Sequence, residues 1–185
     1  MTDNVLTPKF LTPLMAERAV TTAWSAIHGL PARWSLSPKR VQAHIVVLVP
    51  STKDDGPKWS NYPLYTNEPH ILYEISFGRG SEPGEDQFEY PFDQIARCKA
   101  LQLWQGRNDG RTDIQPHLLF EDETPFWGGV KRHGLVAACS GVQPWADQAV
   151  AGITLDLLVA MSYEAWMTSK DHADDELCFL TRSSE

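Results

Sequence analysis

The chain has 185 residues, 42% of them hydrophobic, enough for one domain that buries roughly 70% of the surface its unfolded form exposes. With 16 Lys and Arg against 24 Asp and Glu, the net charge is −8. That balance excludes the basic face a nucleic acid needs and electrostatic docking on an anionic membrane. Three scattered cysteines, Cys98, Cys139 and Cys178, exclude a disulfide framework or a CxxC zinc knuckle.

The N-terminus (Met1-Thr2-Asp3-Asn4) has neither the basic nor the apolar region of a signal peptide, and no uninterrupted apolar run approaches about 18 residues. A cytoplasmic protein is expected.

Thr12-Pro13 is an N-cap followed by Pro in the first helical turn, and Met15, Ala19, Ala23 and Ala26 or Ile27 then line one face up to Gly29. Residues 41–50, rich in β-branched side chains, predict a buried strand. The next stretch, 51–69, carries Trp59, Tyr62 and Tyr65 without period and reads as a long loop that packs on something, including a second subunit. Residues 70–77 alternate as a second strand. A polar loop over 78–90 leads into a helix with Phe92, Ile95, Ala96, Lys99, Ala100 and Leu103 at helical spacing. Asn108-Asp109-Gly110 is turn chemistry, and 118–120 predicts a short strand.

The stretch from Gly128 to Met161 organises the chain. Two short apolar segments flank His133-Gly134, a corner that needs positive φ. The second segment, 135–139, is apolar on both faces, as a central strand would be. Pro144 opens a helix with Asp147 near its positive end, and Val150, Ile153, Thr154, Leu157, Leu158 and Met161 form one stripe. The expected organisation is one domain over 1–185, its core about 12–167, with a flexible acidic tail over 170–185.

Several motifs fail on spacing. Gly78-x-Gly80 has its third glycine at Gly84, one position too far for a dinucleotide fingerprint. Cys139-Ser140-Gly141 stands at a strand-to-helix turn, but Ala138 occupies the first glycine position of a nucleophile elbow, so Ser140 reads as a turn or cap residue. Asp171-His172 and Asp175 lie in a charged run of the solvated type, and no metal is assigned. Among six histidines none has HxxxH or HExxH spacing; His117, behind Pro116, is the one best placed to face a cavity. Arg97 and Lys99 either snorkel and form ion pairs, or build an anion pocket with backbone N–H groups at the start of the third helix and with Lys131 and Arg132.

Three segments carry a resemblance: Ile95-Ala96-Arg97-Cys98-Lys99-Ala100, Pro125-Phe126-Trp127-Gly128-Gly129-Val130, and Cys139-Ser140-Gly141 followed by Asp147. In that order, over about residues 12–163, the chain resembles the haem-degrading domain family of small haem-binding and glycolate-operon accessory proteins. The resemblance implies an α+β, profilin-like layered domain on a central antiparallel sheet, and assembly into homo-oligomers. It also implies a small-molecule ligand: haem, another tetrapyrrole or an anionic metabolite. The chain departs from the family's compact pattern at 51–69 and 107–124.

The candidate ligand-binding residues are therefore Arg97, Lys99, His117, Trp127, Gly128, Gly129 and Lys131, amid the aromatic residues Trp104, Phe126 and Trp145. A non-catalytic assembly protein using the aromatic residues of 58–65 is the competing reading. An enzyme clamping a carboxylate or phosphorylated metabolite with Arg97, Lys99 and Lys131 lacks a nucleophile–base pair in the sequence.

Overall fold

A computed structural model describes residues 5–31, 40–53, 68–78, 90–111, 119–173 and 180–182. In chain order they form β1 (Val5–Pro8), α1 (Pro13–His28), β2 (Ala43–Lys53), β3 (Glu68–Phe77) and α2 (Phe92–Trp104). Then follow β4 (Gly129–Arg132), β5 (Leu135–Ser140), α3 (Pro144–Met167), α4 (Lys170–Ala173) and β6 (Leu180–Arg182). The aromatic loop residues 54–67 and His117 lie outside the described residues.

Local chemistry starts the elements. Thr12 accepts a hydrogen bond from the Met15 amide at 3.2 Å, which satisfies one of the orphan donors of α1, and Pro13 and Pro144 sit in the first turns of α1 and α3. At the β4–β5 corner both His133 (φ 51°) and Gly134 (φ 77°) are left-handed, with Arg132 opposite Leu135. Two positive φ values in a two-residue loop define the turn whose twist matches the strands it joins.

Every described strand pairing is antiparallel, and the sheet runs β4-β5-β2-β1-β6 with β3 on β2. β2 is the spine: β5 pairs with it over residues 44–48 and β3 over 43–51, while β1 takes up Thr52 and Lys53 beyond the reach of both. A bulge at Val47/Leu48 shifts the β3 register.

Alternation along β2 and β5 divides the interior. Ile45, Val47, Val49, Leu135, Ala137 and Cys139 face α1 and α3; Val46, Leu48, Val136 and Ala138 face Ala96, Ala100 and Leu103 of α2. The fold is thus α+β and layered, with α1 and α3 on one side of an antiparallel sheet and α2 on the other. β5 is buried throughout, as its two-sided apolar sequence requires.

Three expectations change. The buried stripe of α1 runs through Ala16, Val20 and Trp24 as well as Ala19, Ala23 and Ile27, and Ala26 is exposed, because Trp24 stacks on Phe77 of β3 and sets the helix's roll. Residues 119–120 are not a strand; Phe120 and Glu123 close a turn instead. The chain after Lys170 is not simply a solvated tail: it makes one helical turn, α4, and returns as β6 on the open edge of β1, where backbone pairing removes an unpaired edge. By length and composition α3 is long and apolar enough to cross a bilayer, although Asp147, Asp156 and Glu164 interrupt it, in keeping with the absence of an uninterrupted apolar run. Here it packs on α1, β4 and β5, burying Val150, Ala151, Thr154, Leu155 and Leu158.

Leu155 is fully buried under that helix. Leu155→Ala is expected to cost about 2–5 kcal/mol in urea unfolding. Asp156→Ala, one residue on and paired with Arg132 at the surface, is expected to stay within about 0.5 kcal/mol.

Candidate functional site

Four stretches of chain meet at one end of the sheet: the end of β5, the start of α3, the approach to β4, and α2. Small backbones make the crossing possible. A Cβ at Gly141 (φ 140°) would sit 2.2 Å from the Gln42 carbonyl oxygen, and one at Gly128 (φ 127°) would sit 2.6 Å from the Asp147 Cβ and 3.2 Å from the Lys99 Nζ. The Gly128 carbonyl also accepts a hydrogen bond from the Cys139 amide at 3.1 Å, so the incoming chain is pinned to β5.

Beneath Gly128 lies an ion pair that water barely reaches. Lys99 is 2% exposed and Asp147 3%. Lys99 Nζ donates to the Cys139 carbonyl at 2.9 Å and to Asp147 Oδ2 at 3.2 Å, while Asp147 Oδ1 accepts from the Val142 amide at 3.2 Å. A buried pair offsets its desolvation only when its remaining hydrogen-bonding capacity is filled, and Cys139 and Val142 fill most of it. Burial pushes the Asp147 carboxyl up, and the Lys99 ammonium pulls it partly back. Burial also drives the Cys139 thiol well above its ordinary range, which leaves it an inert thiol.

This pair forms part of the wall of a cavity of about 330 Å³. Ser140, Gly141, Val142 and Pro144 form its turn side; Phe92 and Ile95 of α2 give it an apolar wall. Tyr90 and Phe126, each half exposed, stand at the rim together with Arg40, whose guanidinium lies 5.5 Å from the centre of the Tyr90 ring. Among the described residues the opening thus combines two cations, one carboxylate and the start of the 24-residue α3, where Gln143 makes no side-chain cap.

The loop carrying Phe126 is held from α2. The Gln102 side chain donates to the Thr124 carbonyl at 3.0 Å and accepts from the Thr124 amide at 3.3 Å. Arg107 grips both carboxylate oxygens of Glu123, at 2.8 and 2.9 Å, and holds that group down to about 2.

Of the residues singled out in the sequence, Lys99 and Gly128 meet at this site. Arg97 does not join them. Two positions along a helix point to different faces, and Arg97 donates to both oxygens of Glu74 on β3, at 2.9 and 2.8 Å. Lys131 donates to the Trp104 carbonyl at 2.6 Å, across the end of α2, and Gly129 packs on Leu103 and the Ala137 carbonyl. Trp127 is half-buried and outside the cavity wall.

Arg40 and Tyr90 are the lining residues that the sequence did not single out, whereas Ser140 and Asp147 stood out there only as a turn residue and a residue at the start of a helix. A lysine among apolar helix neighbours needs an anionic partner, and Asp147 is the carboxylate that meets it. Among the described residues, no group of three His, Cys, Asp or Glu is arranged to hold a metal ion.

Comparison with family models, curated proteins and solved structures found no match.

A second polar cluster lies on the α2 side of β2. His44 Nδ1 is 2.9 Å from the Ser76 hydroxyl, its Nε2 is 3.4 Å from Glu74 Oε2, and Ser140 lies opposite His44 on β5. Desolvation pulls the His44 pKa below its ordinary 6.5, although Glu74 opposes it. Arg97 holds the Glu74 carboxyl down.

Gly128→Ala is expected to cost about 1–3 kcal/mol in denaturant unfolding, more than Gly134→Ala, whose added methyl meets nothing within 4 Å. For His44, the unfolded chain binds the extra proton first, so stability is lost as pH falls below 6.5 toward the depressed folded value. Wild-type melting temperature should fall through that window more steeply than that of His44→Gln.

Proposed function

We propose that the protein binds a small anionic metabolite, a carboxylate or phosphorylated compound with a short apolar body, in the cavity beside the start of α3. The observation that carries this reading is a buried lysine in the cavity wall, with Arg40 at the mouth and the first turn of α3 in the same wall. Phe92, Ile95 and Phe126 suit the apolar body. Among the described lining residues, Lys99 and Arg40 stand beside the one carboxylate of Asp147.

Haem, which the family resemblance implies, fits this cavity poorly. Its described walls carry no histidine, cysteine or methionine to serve as an axial donor, and Tyr90 stands at the rim under the Arg40 guanidinium. A volume of about 330 Å³ is at the lower end for organic ligands and suits a compact metabolite.

Titration calorimetry with a panel of short carboxylates and phosphomonoesters tests the reading. Binding of at least one member is expected, with Arg40→Ala weakening it about tenfold, the loss of one charge-assisted contact. Affinity unchanged in both Arg40→Ala and Phe126→Ala would move the ligand elsewhere, and no binding across the panel would end the proposal.

A further inference from the structure

We propose that Lys99 is a nucleophile that captures the carbonyl group of a small 2-oxo acid or aldehyde-acid as a Schiff base. This rests on the reading of the cavity as an anion site and narrows its ligand class.

The lysine has the three features that such chemistry needs. The residue is 2% exposed and shares the cavity wall with the apolar Phe92 and Ile95, surroundings that disfavour hydrolysis of an imine. It is aimed: two of its three N–H bonds go to the Cys139 carbonyl and Asp147, and among the described residues the third has no protein partner. It has a proton acceptor 3.2 Å away in Asp147. Burial raises that carboxyl's affinity for a proton, which suits it to accept one. Lys131, by contrast, is exposed and spends its ammonium on the end of α2.

The step balances. Lys99 ammonium passes a proton to Asp147, and the neutral amine adds its lone pair to the carbonyl carbon, giving a carbinolamine. Asp147 returns its proton to the departing hydroxyl, water leaves, and a protonated imine remains beside a carboxylate. One C=O bond is exchanged for one C=N bond, with no oxidation or reduction. The ligand's own carboxylate would lie toward Arg40 and the start of α3.

Pyruvate with sodium cyanoborohydride tests this in the intact protein. Intact mass is expected to show one reduced adduct per chain, with peptide mapping on wild-type protein assigning it to Lys99 without recourse to a variant. Lys99→Arg, which keeps a cation for Asp147, is expected to lose the adduct, and Lys131→Ala to keep it. Trapping in Asp147→Asn, confirmed folded by circular dichroism, is expected to be about a hundredfold slower. An adduct confined to exposed lysines, or one that persists in Lys99→Arg, would overturn the inference. Calorimetric binding of pyruvate without trapping would overturn it and leave the anion site standing, whereas absence of any anion binding would remove both.

Discussion

The contact between Lys99 and Asp147 ties together parts of the chain that are far apart in sequence. One partner comes from α2, on one side of the sheet, and the other from α3, on the opposite side; they meet around the end of β5. Neither charge is tolerable there alone, because removing one partner leaves a desolvated ion worth roughly 3–5 kcal/mol of instability. The turn from Ser140 to Pro144 is shaped by the same pair, since Cys139 and Val142 supply the remaining backbone hydrogen bonds.

That constraint explains the glycines as well. Gly128 passes so close over the pair that any side chain would strike Asp147, and Gly141 crosses the start of β2 with no room for a Cβ. A dense polar knot with aromatic residues at its edge leaves a gap on the solvent side. The gap is the cavity, and its charge follows from the cations and the helix start that converge there. Structure and candidate chemistry therefore share one set of atoms, and variants at this site are to be read for folding and for binding together.

The polar cluster around His44 does a different task with similar residue types. Glu74 receives Arg97 from α2 and His44 from β2, so the ladder between β2 and β3 and the packing of α2 are fixed by one carboxylate. Arg97 is half exposed, and its pair is screened accordingly. Two cations two residues apart on one helix thus serve opposite ends of the exposure scale.

The periodicities of 135–139 and of Val150, Thr154 and Leu158 were decisive in the sequence, because alternation and helical stripes record burial directly. Thr12-Pro13 and His133-Gly134 were equally legible, since caps and tight turns are settled by a few adjacent residues. Lys99 and Gly128 stood out as unusual residues in apolar or crowded company. What the sequence left open was partnership: that Arg97 would turn to Glu74, that Lys131 would reach Trp104, and that Lys99 would be matched by Asp147 rather than by solvent. The β6 pairing was equally hidden. These are contacts between segments up to 176 residues apart, as in Leu6 with Arg182. Local propensity carries no information about them, because they arise only when the layers close and each buried charge or open strand edge has to find its complement.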